Sequence, residues 1–146
     1  MRTAAVLLVA LAACRSHEAA PPAPKPAPLA HATQQDLARE LATADRQGTW
    51  AQLRQRWQGQ ALRWTVTRYR TLCGAADSCF VAAFPIERPA KHGWMPKLDL
   101  SQAEMAKLDA KCPSAMCEIT FEGTLAELAA SPEQPTSLRF ANVHIL

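Results

Sequence analysis

At Ala61 the hydrophobic period of the chain changes from helical to two, and that change limits most of what the chain can fold into. Leu62, Trp64 and Val66 alternate with Arg63, Thr65 and Thr67, the pattern of a strand with one face buried and one in water. Carried further, the alternation turns Arg68 and Arg70 toward the apolar side. Either a bulge shifts the register or the strand leaves the core there. Phe80, Ala82, Phe84 and Ile86 are expected on the inner face of the next strand, with Pro85 near its end. Pro89, Gly93 and Pro96 mark 87–97 as a loop, leaving room for a short strand at Leu98–Leu100. Ser101-Gln-Ala-Glu104 is a capping box that predicts a helix over 102–111, with Met105 and Leu108 inward, stopped by Cys112-Pro113. From Cys117 to Leu125 the alternation is cleanest. Ile119, Phe121 and Leu125 face in, Glu118, Thr120, Glu122 and Thr124 face out, and Gly123 on the inner row predicts a bend or bulge. In a last strand, Ser137 to Ile145, Leu138 and Phe140 lie on one parity and Val143 and Ile145 on the other, so a bulge is expected near Asn142.

Ahead of Ala61 the spacing is helical. Thr33 is placed to cap a helix over 34–47, with Leu37, Leu41 and Ala44 on one face, Asp36 in the first turn and Gly48 at the end. Thr49 is placed to cap a second, with Trp50, Leu53 and Trp57 at i, i+3 and i+7 and Gly59 closing it. Earlier still, residues 19–32 carry five prolines within 21–28, which favour polyproline II and forbid a helix. At ~3.1 Å per residue such a stretch holds a domain some tens of ångströms from whatever its start is fixed to. His31 at its end is expected to be solvated.

The start of the chain reads as an address. A single early cation, Arg2, precedes a short apolar run that ends in small residues and Cys14, the arrangement of a secretory signal. The run is too short for a permanent span. Leu11-Ala12-Ala13-Cys14 resembles the lipobox of bacterial lipoproteins. The resemblance implies that residues 1–13 are removed and that Cys14 is lipidated, its thiol carrying a diacylglycerol and its amine a further acyl chain such as palmitate. Each buried methylene contributes ~0.8 kcal/mol, so several chains make a lasting membrane anchor. Arg15, rather than Asp, then implies delivery to the outer membrane over the inner, facing the periplasm. The alternative is a signal peptide cut elsewhere, with Cys14 incidental. The expected organisation is a signal peptide over 1–13, a lipidated start and tether over 14–32, and one domain over 33–146.

Four cysteines remain: Cys73, Cys79, Cys112 and Cys117. An even number in an exported chain reads as disulfides, with three pairings open. The local pairing, Cys73–Cys79 and Cys112–Cys117, is expected because each pair brackets a turn-like insert. A four-thiolate zinc site is the rival, against which stand the oxidising compartment and the absence of two-residue knuckle spacing.

A helix between strands three and four of a five-stranded set is the order of the OB-fold. Trp57-Gln-Gly59-Gln-Ala-Leu-Arg-Trp-Thr-Val66, Phe121-Glu-Gly123-Thr-Leu125 and Leu138-Arg-Phe-Ala-Asn-Val-His-Ile145 carry the likeness. Over about residues 34–146 the chain resembles the tRNA-anticodon-like OB family found in many bacterial exported and lipid-anchored proteins. The resemblance implies a mainly β fold, an OB-like barrel of five strands with one or two N-terminal helices and a helix between strands 3 and 4. The disulfides and the long loop 87–97 depart from the family pattern. Fold supplies no function by itself.

The sequence offers little chemistry. His92 and His144 are far apart, no Ser or Cys sits in a nucleophile context, and Asp99, Glu104 and Asp109 form no metal loop. No catalytic residue, metal or cofactor is expected, and a hydrolase using His92 or His144 is the least favoured reading. Charge asymmetry carries more: residues 50–97 hold eight cations against two acids, residues 98–146 three against seven. Arg63, Arg68, Tyr69, Arg70 and Trp94 are therefore expected to line a basic, aromatic binding face for an acidic ligand, the rival being solvated charge paired across strands with Glu118 and Glu122. The net charge of +3 is too small to imply nucleic acid, and an exported location disfavours it further. The expected function is a non-enzymatic, lipid-anchored envelope protein that binds an envelope protein or other acidic ligand. The alternative is an immunity or inhibitor lipoprotein against a secreted toxin or cell-wall hydrolase.

Overall fold

A computed structural model of the chain describes residues 31–73, 79–86, 94–133 and 135–146. The signal peptide, Cys14, most of the tether and His92 lie outside the described residues. In chain order the elements are α1 (Gln34–Gln47), α2 (Trp50–Trp57), β1 (Ala61–Cys73), β2 (Cys79–Pro85), β3 (Met95–Leu100), α3 (Gln102–Lys111), β4 (Glu118–Ala129) and β5 (Ser137–Ile145).

The two leading helices form as their sequence predicts. The Thr33 hydroxyl accepts from the Asp36 N–H while the Asp36 carboxylate accepts from the Thr33 N–H, a reciprocal box that satisfies two otherwise orphaned donors. Gly48 ends α1 at φ 69°, a left-handed conformation open to glycine at little cost. Thr49 sits at the start of α2 but its hydroxyl makes no cap bond. Leu37, Leu41 and Ala44 of α1 and Trp50, Leu53 and Trp57 of α2 are buried. The Trp57 indole donates to Glu40 across the two helices at 2.8 Å, which settles a polar atom that burial would otherwise strand.

The strands close into a barrel in the order β1-β2-β3-β5-β4, with β4 paired back to β1. All pairs are antiparallel except β3 with β5, and α3 makes the connection from β3 to β4. This is the five-stranded OB-like barrel, with helices in the expected places. Closure gives every strand a partner on both sides over part of its length, while Ala83–Pro85 of β2 and Met95–Pro96 of β3 pair on one side only. Leu62, Trp64, Val66, Leu98, Phe121, Leu125, Leu138 and Phe140 fill the interior. Phe140 stands edge-on to both Trp64 and Phe121, with centroids 5.4 and 5.0 Å away, an arrangement aromatic quadrupoles prefer.

Bulges let both parities of the long strands reach the core. Arg68 pairs with Ala83 and Arg70 with Ala82, so Tyr69 is an extra residue in β1. On β5, Glu122 pairs with His144 and Thr124 with Ala141, and Asn142 turns the chain at φ 51°. Leu138 and Phe140 before that bulge and Val143 and Ile145 after it are therefore all buried. Gly123 faces this bulge. A Cβ there would lie 3.2 Å from Val143 Cγ2 and 3.4 Å from the Ala141 carbonyl.

Three expectations need correction. The inner face of β2 is Val81 and Ala83, which are fully buried, while Phe80 and Phe84 lie half-buried on the outside and Ile86, past the strand, is 45% exposed. The run Phe-Val-Ala-Ala-Phe is apolar at both parities, so alternation alone could not orient it. Pairing with β1 past its bulge does. Met95–Lys97 belongs to β3 rather than to a loop; Pro96 lies beyond the β2–β3 pairs, so its missing N–H costs that ladder nothing. The box at α3 is half made: Ser101 Oγ accepts from the Glu104 N–H, but the Glu104 carboxylate accepts from the Ile145 N–H at 2.7 Å instead.

Candidate binding face

The bulge at Tyr69 sets the outer surface of β1, β2 and β3. Thr67 faces Phe84, Arg70 faces Ala82, and Leu72 faces Phe80; on the next strand Ala82 faces Lys97 and Phe80 faces Asp99. Register partners share a face. Arg70, Ala82 and Lys97 thus form one transverse row, which continues to Arg139 because Lys97 pairs with Arg139 on β5. Aromatic rings flank the row. Tyr69, 38% exposed, packs against Phe84 with centroids 4.9 Å apart. The Arg70 guanidinium lies 5.4 Å from the Tyr69 centroid and the Lys97 ammonium 6.0 Å from that of Phe80, both within cation–π reach. Met95, 36% exposed, stands on the same face beside Lys97. Arg139 is engaged by Asp99 at 2.8 Å. Among the described residues Arg70 and Lys97 pair with no carboxylate.

Of the five residues expected on a binding face, the structure brings two together. Tyr69 and Arg70 are on it. Arg63 lies roughly 20 Å back along β1 at ~3.3 Å per residue. Its guanidinium is 3.8 Å from Glu122, the cross-strand partner. Arg68 takes the inner parity. Its guanidinium donates to the Cys112 carbonyl at 2.7 Å and to Thr71 Oγ1 at 2.9 Å and meets Asp109 at 3.0 Å, tying the end of α3 to β1. Trp94 is buried and stacked on Trp64 at 6.5 Å. Phe80 and Phe84, expected inside the barrel, and Lys97, expected in a loop, complete the face. Once a bulge is granted at β1, a β2 register that turns both phenylalanines outward was the signal that could have found them.

The cysteines pair locally, Cys73 with Cys79 and Cys112 with Cys117, with Cα atoms 4.1 and 5.9 Å apart. The first pair closes the β1–β2 hairpin beside Leu72 and Phe80, at the margin of the face.

Two further constellations lie off the face. Glu104 is buried, with its carboxylate 2.7 Å from Lys107 Nζ, 2.7 Å from the Ile145 N–H and 3.5 Å from His144 Nδ1. The Lys107 ammonium, and then the Ile145 N–H, hold its carboxyl down to about 2. His144 is 68% exposed, so the cluster joins α3 to β5 and offers one imidazole to water. The second is a cleft of about 430 Å³ between residues 31–34, Arg63–Thr65 and Ile86. There Gln34 Nε2 donates to the Thr65 carbonyl and Trp64 Nε1 to the Ala32 carbonyl, seating the start of the domain on β1. Among the described residues no group of three His, Cys, Asp or Glu side chains is placed to hold a metal, and no helix is long and apolar enough to cross a membrane.

No family model and no curated protein matches the chain. Among solved structures it is similar to one from Klebsiella pneumoniae described as a putative nucleic acid-binding lipoprotein, with a TM-score of 0.49 and 14% identity, over 78% of this chain and 88% of that one.

Proposed function

We propose that this chain is a lipid-anchored protein of the cell envelope whose OB-like domain is a non-enzymatic binding module, and that the outer face of β1, β2 and β3 is its contact surface. The observation that supports it best is the pair Arg70 and Lys97, set in one row over aromatic rings and pairing with no carboxylate among the described residues. Many of the other described cations are used: Arg139, at the end of the row, by Asp99, and away from the face Arg68 by Asp109, Arg56 by Glu40 and Lys107 by Glu104. The anchor rests on Leu11-Ala12-Ala13-Cys14, and the proline-rich stretch after it gives the domain reach. An alkyne-labelled palmitate fed to cells should label the protein, and Cys14→Ser should abolish the label and release the protein from the membrane fraction. An unlabelled chain that still begins at Met1 defeats the anchor. For the face, a photo-reactive residue at Phe84 should give a discrete adduct in intact cells that the same residue at Glu118, on β4, does not.

A further inference from the structure

The occupant of the face follows from how its charges and rings are arranged, on the premise that this face is the contact surface. We infer that it takes an acidic polypeptide segment that also presents an apolar side chain. Arg70 and Lys97 are both register partners of Ala82, so their Cα atoms stand two strand spacings apart, about 10 Å at ~4.8 Å per strand. Two cations held at that separation, neither paired with a carboxylate among the described residues, are placed to meet two anionic groups of a partner. Between and beside them lie Tyr69, Leu72, Phe80, Phe84 and Met95. Aromatic residues, methionine and arginine around a centre poor in acids are the composition of a protein–protein interface core.

Ring geometry separates a polypeptide from a nucleic acid strand. Binding of single strands without sequence preference depends on bases stacking on exposed ring faces. Here Arg70 sits over Tyr69, Lys97 sits over Phe80, and Tyr69 leans on Phe84 at an interplanar angle of 48°. A base stacking on the covered side of Tyr69 or Phe80 would displace a cation, whereas a carboxylate meets either cation from above and leaves it on its ring. A second copy of this chain using the same face would bring together two surfaces that each carry Arg70 and Lys97, a less complementary contact than an acidic segment makes. Each strand of the face is already paired on both sides at its centre, so recognition there falls to side chains. Asp99, held by Arg139, and Glu127, opposite Arg139, bound the acceptor region on the β5 side.

The test pans a random-peptide display library against the full chain, and measures labelled binders, a labelled oligo-dT strand and polygalacturonate by anisotropy on the same protein. Peptides rich in Asp and Glu with a Phe or Leu should be enriched. Arg70→Glu and Lys97→Glu should each weaken them about thirtyfold or more, the scale of an interface hot spot. Arg46→Glu, on α1, should change nothing, and melting curves should show all three variants folded. Oligo-dT or polygalacturonate binding more tightly than any enriched peptide, with the same sensitivity at Arg70 and Lys97, overturns the polypeptide and leaves the face standing. Binding of any probe that ignores both substitutions, or no binding at all, overturns face and occupant together. Concentration-dependent dimerisation lost in Arg70→Glu assigns the face to a second copy and likewise overturns the inference.

Discussion

Gly123 and Asn142 face each other across the β4–β5 bulge, and each is confined for a different reason. Gly123 has no room: an added methyl meets Val143 Cγ2 at 3.2 Å and the Ala141 carbonyl at 3.4 Å. Asn142 has the wrong dihedral for a branched side chain, φ 51°. Gly123→Ala should therefore cost roughly 1–3 kcal/mol, the range for overpacking a dense interior. Asn142→Val should cost ~1–2 kcal/mol and Asn142→Gly much less. Urea titrations of the three variants measure this, and equal losses for Val and Gly at 142 would refute the dihedral account. Among the described residues, Glu104 and Asp36 are two through which pH acts on stability. Both carboxyls are held down to about 2, Glu104 first by Lys107 and Asp36 first by the Thr33 N–H. A lowered carboxyl pKa stabilises the fold above its ordinary value and loses that contribution as pH falls toward the folded one. Glu104→Gln should thus lower the melting midpoint at neutral pH, and the wild-type and variant midpoints should converge as the pH falls from 4.5 to about 2.

Among the elements, β2 shows where the sequence stops being legible. β4 could be read outright because its polar and apolar residues alternate: Ile119, Phe121 and Leu125 are buried, and Glu118 and Glu122 are exposed. The β5 bulge could be read because its apolar residues switch parity at Asn142. In β2 both parities are apolar, so the side that faces the core depends on Tyr69, ten residues earlier in the chain than Cys79 and visible only as an extra residue in the pairing. The same blind spot hides most of the candidate face, since alternation alone turns Phe80 and Phe84 inward and the Pro and Gly pattern puts Lys97 in a loop. Mutation separates the two assignments. Val81→Ala, inside the barrel, should cost ~1–3 kcal/mol of stability in thermal or urea melts while leaving contact at the face in place. Phe84→Ser, outside, should lose contact at the face with a smaller change in melting. The reverse order would put the phenylalanines back in the core.

Over the whole molecule, charge and crosslinks are distributed with respect to the face. The excess of cations in residues 50–97 was legible, but its use was not. Arg68 holds α3 to β1 and Arg63 meets Glu122, so a face counted from sequence charge was larger than the one the fold presents. The two disulfides are alike in sequence, with separations of six and five, and the chain-entropy account gives each about 2 kcal/mol. They differ in place. Cys73–Cys79 ends the β1–β2 hairpin next to Leu72 and Phe80, whereas Cys112–Cys117 closes the turn between α3 and β4. A contact surface that is already ordered binds at lower entropic cost, so on the proposed reading a crosslink at its margin should add to affinity as well as to stability. Replacing both cysteines of either pair by serine should lower the unfolding free energy by a similar amount, ~2 kcal/mol. Only the Cys73/Cys79 replacement should also weaken binding of a partner held by Arg70 and Lys97, and it should do so at temperatures where both variants are fully folded. If the Cys112/Cys117 replacement weakens that binding equally, the crosslinks act through overall stability alone, and the β1–β2–β3 face is not the surface whose order matters.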